Sequence, residues 1–598
     1  MRHIPQPTIL PALVVLVCSC STTPPPVVPD PMDAVRAQLA QAQELGLRGC
    51  YRCLIEARDL YEEVARQGFV PDTVNAGLLR TTLLIGMRER EMGLPGGGRF
   101  ERAAALAGLG LAAAREAAEA REAAAAEEEA LAPEGETREA SEAGQSPEAA
   151  READEAAESP EAAESPEAAE TAATGGAESA GPEWETFLQI AATTPWQDVG
   201  VPKDLSEENV YARAIADRDR DAWNRVLQPL VPTDPLAAYL YLSLNCTNEW
   251  LAEQPPELAE VLAVHDDAVY VRYRQALCAD EQVALASVQT IEPRFTEMEF
   301  FLGRHALEQG RGPQQGDVAL AEFHYRRALD EWPEWPAPAL ALGEVARTVE
   351  DYEASLPFYD AALALVPDQR DGLLGRAQSL SYLDRNAEAV PLLDRLIEMG
   401  RWYLAEAHFW RAYNRFNLAD IEGARDDAAT SIGHRPDAQS YALSGQIALV
   451  QRRLDDARTD LETALDINPE YCYAAFHLGR VHIEEARWIE TASAFSRAAL
   501  CFRENAGRLA ADLSGIEQNP DLAEDRRARL VARRTDEIAV VRQQAASSFY
   551  NAALGYYNDG VLRLARRYAQ FAGDHEMFAE RATRLLGLID ALSAELRQ

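Results

Sequence analysis

Between about residue 296 and residue 505 the chain repeats itself with a period of about 34 residues, and this periodicity limits its fold more than any other feature. Three columns of small or helix-stopping residues carry it. The first is Gly303, Gly343, Ala377, Ala412, Gly445 and Gly479. The second is Ala321, Ser355, Ala389, Ala424, Ala457 and Thr491, at a fixed offset from the first except where a Gly-rich insertion at 310–316 lengthens the opening repeat. The third is Pro333, Pro367, Pro436 and Pro469, interrupted by Arg401. Two antiparallel helices approach closely only where both carry small side chains, so Gly343 is expected to meet Ser355. A further small residue late in the second helix (Ala328, Ala362, Ser431, Ala464, Ala498, with Leu396 the exception) admits the next repeat, and the proline then stops the helix.

This pattern resembles the tetratricopeptide repeat (TPR) family, with Tyr325, Tyr359, Leu393, Leu461 and Phe495 in the place of the large apolar residue of the second helix. The resemblance implies an all-α solenoid of antiparallel helix pairs whose first helices line a concave, protein-binding groove. Carried over position by position, it places Leu340, Glu344 and Arg347 in that groove, then Leu374, Gln378 and Tyr382, then Phe409, Tyr413 and Phe416, then Gln446, and finally Tyr473, Phe476 and Arg480. The Lys and Asn set with which chaperone-binding TPR proteins clamp a terminal carboxylate is absent from these places. An aromatic groove suits an apolar helix or an extended segment, with Phe409, Tyr413 and Phe476 as anchors. The competing reading of each aromatic is that it turns inward as core.

A further copy runs from Phe549 through Tyr556, Tyr557 and Gly560 to Ala565 and Ala572. An amphipathic stretch then places Phe578, Ala582, Leu585, Leu586 and Ile589 on one face, as a capping helix would. Between the two, residues 506–545 are rich in Arg and acids and show no repeat signature. Upstream, helical spacing runs through Val35–Leu45, Leu54–Val64, Val74–Ile85 and Phe100–Leu111, consistent with degenerate repeats.

The first twenty residues have a basic start, a short apolar run from Ile9 to Val17 and then Cys18-Ser19-Cys20. The run falls far short of the ~20 residues of a spanning helix and reads as a signal peptide. Val17-Cys18-Ser19-Cys20 resembles the bacterial lipobox, which makes Cys20 the expected lipidated residue. Ser21 follows it, and by that resemblance implies the outer membrane, on the periplasmic side; without lipidation the chain would be periplasmic or secreted. Pro24, Pro25, Pro26, Pro29 and Pro31 then suit an extended tether.

The chain carries 57 basic and 98 acidic side chains, a net charge of −41. That balance excludes a sequence-independent hold on nucleic acid, which needs clustered Arg and Lys. Residues 116–185 hold 22 acids against Arg121, Arg138 and Arg151, and three copies of Ser-Pro-Glu-Ala-Ala begin at Ser146, Ser159 and Ser165. Such a segment buries too little apolar surface to offset its ordering entropy, so a disordered acidic insert is expected.

Apart from Cys18 and Cys20, six cysteines remain. The repeat register puts Cys472 at the start of a first helix and Cys501 at the end of the second, so these two are expected to bridge; Cys246 and Cys278 are a second candidate pair. Cys50 and Cys53 form a CxxC without the preceding strand of a redox fold, and are read as a structural bridge or packed thiols, with thiol-redox chemistry as the alternative. His477 and His482 with Glu484 and Glu485 are spaced poorly for a metal site. No phosphate loop or nucleophile elbow is present, so neither a catalytic site nor a cofactor is expected.

These readings divide the chain into a signal peptide (1–19), a tether (20–32), degenerate TPR-like helices (33–115), an acidic linker (116–182), a helical region (183–295), the TPR array (296–505) and a C-terminal region with a further repeat and cap (506–598). The expected function is a non-catalytic adaptor that binds envelope proteins through its groove and touches the membrane only through its lipid. The alternatives are chemistry at Cys50 and Cys53, or a wall-associated spacer. Oligomeric state is not readable.

Overall fold

The computed structural model describes residues 31–68, 72–92, 94, 99–106, 183–193, 219–245, 264–279, 282–308, 317–400, 402–520 and 522–595. The signal peptide with Cys20, nearly all of the tether and the acidic linker 116–182 therefore lie outside the described residues. Every regular element among the described residues is helical.

An N-terminal group comprises α1 (Pro31–Arg48), α2 (Tyr51–Arg66), α3 (Asp72–Glu91), α4 (Arg99–Leu106), α5 (Glu183–Thr193), α6 (Pro235–Asn245), α7 (Val269–Ala279) and α8 (Gln282–Ile291). Helix pairs follow: α9 (Glu297–Glu308) with α10 (Val318–Glu331), α11 (Pro336–Thr348) with α12 (Tyr352–Leu365), and α13 (Arg370–Tyr382) with α14 (Asn386–Met399). The array continues with α15 (Leu404–Asn417) and α16 (Ile421–His434), then α17 (Ala438–Val450) and α18 (Leu454–Ile467), then α19 (Cys472–Glu484) and the long α20 (Trp488–Gln518). The chain ends with α21 (Glu524–Asn558), α22 (Leu562–Gly573) and α23 (Glu576–Glu595).

One turn is used again and again inside the pairs. Glu350, Asp384, Ala419, Arg452 and Ala486 each adopt a left-handed conformation, with φ between 55° and 64°. The following residue's N–H bonds a carbonyl five residues back, as in Asp351 to Ala346 (2.8 Å) and Arg487 to His482 (2.9 Å), which satisfies orphan carbonyls at the helix end. The α21–α22 turn repeats it with Gly560, at φ 81°.

The nearest atoms to the glycine column belong to the large residue of the second helix, with the second-column residue beside it: a Cβ on Gly303 or Gly445 would also stand 3.1 Å from the backbone oxygen of Ala321 or Ala457. A Cβ on Gly343 would stand 2.9 Å from the Tyr359 ring, and the Ser355 hydroxyl donates to the Ser379 hydroxyl at 2.7 Å or to the Tyr352 carbonyl at 2.8 Å. Gly303 faces Tyr325, Gly445 faces Leu461 and Gly479 faces Phe495 in the same way. The glycine is therefore small so that the large residue of the second helix can lie across the first, and burial of that large residue is what holds each pair together.

The N-terminal helices do not simply extend this row. One continuous core runs from Val35 to Val345, so packing is unbroken across residue 295 and α9–α11 share a core with α1–α8. Tyr51 stacks on Trp332 at 4.9 Å between centroids, and Trp335 Nε1 donates to the Met92 carbonyl at 2.9 Å. At the centre, fully buried Arg88 pairs with Glu91 (2.6 Å) and Glu297 (3.0 Å), while Glu91 also accepts from Tyr239, Tyr273 and Arg274. From Leu374 onward the core breaks into smaller local clusters, as stacked repeats require.

The C-terminal stretch without repeat signature has a definite place. Helix α20 does not stop at Cys501 but continues to Gln518, and α21 returns alongside it as an antiparallel partner. The start of α21 then reaches back to the early repeats. Arg526 pairs with Glu322, Arg529 forms a fork with buried Asp351 (3.1 and 2.9 Å), and Arg534 meets Glu350 at 3.0 Å. Arg533 lies over the Tyr352 ring at 4.1 Å from its centroid.

Candidate protein-binding cleft

Four successive first helices, α13, α15, α17 and α19, place side chains on one cleft of about 710 Å³, and Gln544 of α21 faces them from the other side. Tyr382 ends α13. Phe409, Tyr413 and Phe416 come from one face of α15, Gln446 from α17, and Tyr473, Phe476 and Arg480 from α19, so all eight of these expected groove residues line it together. Five others do not, among them Glu344 and Gln378. Leu374 is buried in the local core of α13–α15, and Leu340 packs towards Gly372. Arg347 is paired with Glu344 on its own helix. The expected groove is thus one cleft in the later repeats rather than a strip along the whole array.

The aromatic wall is continuous. Tyr352 stacks on Tyr382 (4.6 Å), Tyr382 meets Trp410 edge-on (5.2 Å), and Trp410 meets Tyr413 in the same manner (5.7 Å). Tyr382 and Tyr473 stay 45% and 42% exposed, which leaves their rings free to take a ligand. Phe476 is partly core, since its ring packs against Phe495 and Phe502. Sequence reasoning missed Trp410, Asn417, Gln439, Tyr471, His477 and Gln544. Trp410 and Tyr471 fall between the positions carried over from the resemblance, and no repeat column marks them. Gln544 comes from the stretch of α21 without a repeat signature.

Electrostatically the cleft is unlike the rest of the molecule. None of its lining residues is Asp or Glu. Burial, with the neighbouring Arg480 adding to it, pushes His477 down to about 3, so the imidazole is neutral at physiological pH. Arg480 has only that ring within reach, at 3.4 Å, and no acidic partner among the described residues. Burial pushes the Tyr471 hydroxyl up to about 12, with the neighbouring Tyr473 contributing, and it remains a neutral donor. Behind the cleft wall, buried Asp427 binds His408 (2.8 Å), Arg411 (2.6 Å) and Arg415 (2.7 Å) and ties α15 to α16. Burial alone would raise that carboxyl, but these partners hold it below the usual carboxylate range.

Two disulfides are present among residues with described partners. Cys472 and Cys501 are bridged with Cα atoms 5.5 Å apart, which staples the start of α19 to the middle of α20. Cys50 and Cys53 are bridged at the first turn of α2, and both are fully buried. Cys278 is buried, and Cys246 lies outside the described residues. Among the described residues no group of three His, Cys, Asp or Glu could hold a metal ion, and no helix is long and apolar enough to cross a membrane.

Helix pairs of about 34 residues, a small residue under each large one and a shared left-handed turn together decide the fold type. The array has the tetratricopeptide fold. No protein-family model and no curated protein matches the sequence. Among solved structures, YrrB, described as a TPR protein with an unusual peptide-binding site, is 16% identical and covers 30% of this chain and 91% of its own, with a TM-score of 0.26. TTC0263, a thermophilic TPR protein of Thermus thermophilus, is 17% identical over 31% of this chain and 99% of its own, with a TM-score of 0.26. The APC/C hetero-tetramer Cut9–Hcn1 is 13% identical over 94% of this chain and 96% of the matched one, with a TM-score of 0.37. The TPR assignment rests on the geometry of the chain itself.

Proposed function

We propose that this chain is a non-catalytic binding scaffold that holds a segment of a partner protein in the cleft of its TPR array. The observation that carries the reading is the carboxylate-free aromatic cleft built by four successive repeats inside a strongly acidic protein. Exposed aromatic rings with a polar rim are what concentrate binding energy at protein interfaces. We further propose that Cys20 anchors the scaffold in the outer membrane facing the periplasm, where it serves assembly of an envelope complex. Redox chemistry at Cys50 and Cys53 is not favoured, because thiol exchange needs access and neither sulfur is exposed.

The test is a photo-crosslinking residue at position 416 in cells that produce the full chain, compared with the same chain carrying Tyr382→Ser and Tyr473→Ser. Both tyrosines are a little under half exposed and neither is a core residue, and circular dichroism checks that the fold survives their loss. One envelope protein crosslinked in the first strain and lost in the second supports the scaffold reading. Failure to crosslink any protein, or the same set in both strains, refutes it.

A further inference from the structure

The chemistry of the cleft narrows the kind of segment it takes, and this step rests on the scaffold reading above. Acids make up 98 of 598 residues, about one in six, so sixteen lining residues drawn evenly from the chain would include two or three; the cleft has none. In their place stand eight aromatic residues, the amides of Asn417, Gln439, Gln446 and Gln544, and the single cation Arg480. The tyrosine hydroxyls, the amide N–H groups and the guanidinium make this surface rich in donors, and its strongest acceptors are amide oxygens.

A bound helix would satisfy its own backbone and leave those donors facing carbon, at the cost of unmade hydrogen bonds. A glycan would bring hydroxyls that must donate as well as accept, and the cleft lacks the carboxylates that receive them best. A proline-rich segment is the complementary case. It has no N–H at its prolines, it settles into polyproline II with every carbonyl unpaired, and its flat apolar rings pack on aromatic faces with little entropy left to lose. The cleft volume of about 710 Å³ admits a short stretch and no folded domain.

We propose that the cleft binds an extended, proline-rich segment bearing an acidic residue, with its rings on Tyr382, Trp410 and Tyr473, its carbonyls accepting from the glutamine amides and its carboxylate on Arg480. The neutral His477 beside Arg480 leaves that charge uncompensated until such an acid arrives.

The experiment uses the full chain and fluorescence polarisation of three labelled probes: capped Pro-Pro-Pro-Pro-Pro-Pro-Asp-Pro, the same peptide with Asn for Asp, and the same peptide with Ala at every Pro. The Asp peptide is expected to bind, the Ala peptide to bind at least about tenfold more weakly, and Tyr473→Ser to reduce binding by about tenfold. Arg480→Gln is expected to remove most of the preference for Asp over Asn while leaving residual binding of both. The proposal is overturned if the Ala peptide binds equally well, if no proline peptide binds, or if Arg480→Gln leaves the Asp preference intact. Chitotetraose displacing a weakly held peptide would assign the cleft to glycans instead. If the cell crosslink at position 416 captures a partner through a segment poor in proline, the scaffold reading stands and this inference fails; if it captures nothing, both fail.

Discussion

At the scale of single residues, His477 shows how a side chain chosen for the cleft also sets a limit on stability. It is 7% exposed, it lies beside Arg480, and burial followed by that charge lowers it to about 3. An unfolded histidine titrates near ~6.5. Below that value the unfolded chain binds a proton that the folded chain refuses, so stability is intact above about pH 6.5 and falls as pH drops towards 3. Linkage gives roughly 2 kcal/mol lost by pH 5. We expect His477→Gln to flatten the difference between urea midpoints at pH 7 and pH 5 relative to the unsubstituted chain. Equal pH dependence in both would mean that the imidazole is protonated in the folded state. The sequence marks the histidine only as poorly spaced for a metal site, and its contact with Arg480 is not readable there, because a three-residue helical spacing is shared by many pairs that never touch. Asp427 makes the same point: its cluster joins residues 12 to 19 apart, on two helices, and an isolated Asp in a row of acids gives no hint of it.

At the scale of elements, what repeats was legible and what occurs once was not. The Gly and Ala columns recur because every pair must seat a large side chain over a small one, and recurrence separates such a constraint from chance. The first half of helix α21 has no second copy, and Gly555, although inside the further repeat, stands two residues beyond its small-residue column at Ala553, so neither the partner helix nor the close approach at Gly555 left a column to read. A Cβ on Gly555 would stand 2.8 Å from the Ala492 nitrogen and 2.9 Å from the Trp488 carbonyl oxygen, which are backbone atoms that cannot swing aside. Gly507 in α20 and Gly587 in α23 have open space around the same position. We therefore expect Gly555→Ala to destabilise the α20–α21 hairpin by about 1–3 kcal/mol, whereas Gly507→Ala and Gly587→Ala gain up to ~1 kcal/mol from helix propensity. Urea unfolding followed by circular dichroism orders the three variants, and a Gly555→Ala protein as stable as the other two would contradict the packing described.

At the scale of the whole molecule, the solenoid is tied at two places that sequence periodicity could not reveal. In the N-terminal half, α1–α3 dock on α7–α11 around Arg88, whose acidic partners lie three and 209 residues away. In the C-terminal half, the first turns of α21 clasp α10 and the α11–α12 turn across 178 to 204 residues of chain. An Arg-rich helix reads in sequence as a solvated face, and only the fold shows that Asp351 waits for it with 1% of its surface exposed. The clasp also places α21 against the cleft, since Gln544 on the same helix forms its far wall. Replacing Arg526 and Arg529 by Ala strands Asp351 as a buried, unpaired carboxylate and leaves Glu322 with Arg326 alone, while the rest of α21 keeps its packing on α20. Arg529 is partly exposed, so solvent moderates the loss and the local opening should gain about 1–3 kcal/mol. Amide hydrogen exchange over residues 524–535 is then expected to quicken by roughly 10- to 100-fold, with α15–α17 unchanged. In the unsubstituted chain 1 M salt, which shortens screening to ~3 Å, should quicken the same amides less, because Asp351 is shielded from ions. Exchange that the double substitution leaves unaltered would show that α21 is held by its contacts with α20 alone, and that the cleft's far wall does not depend on the clasp.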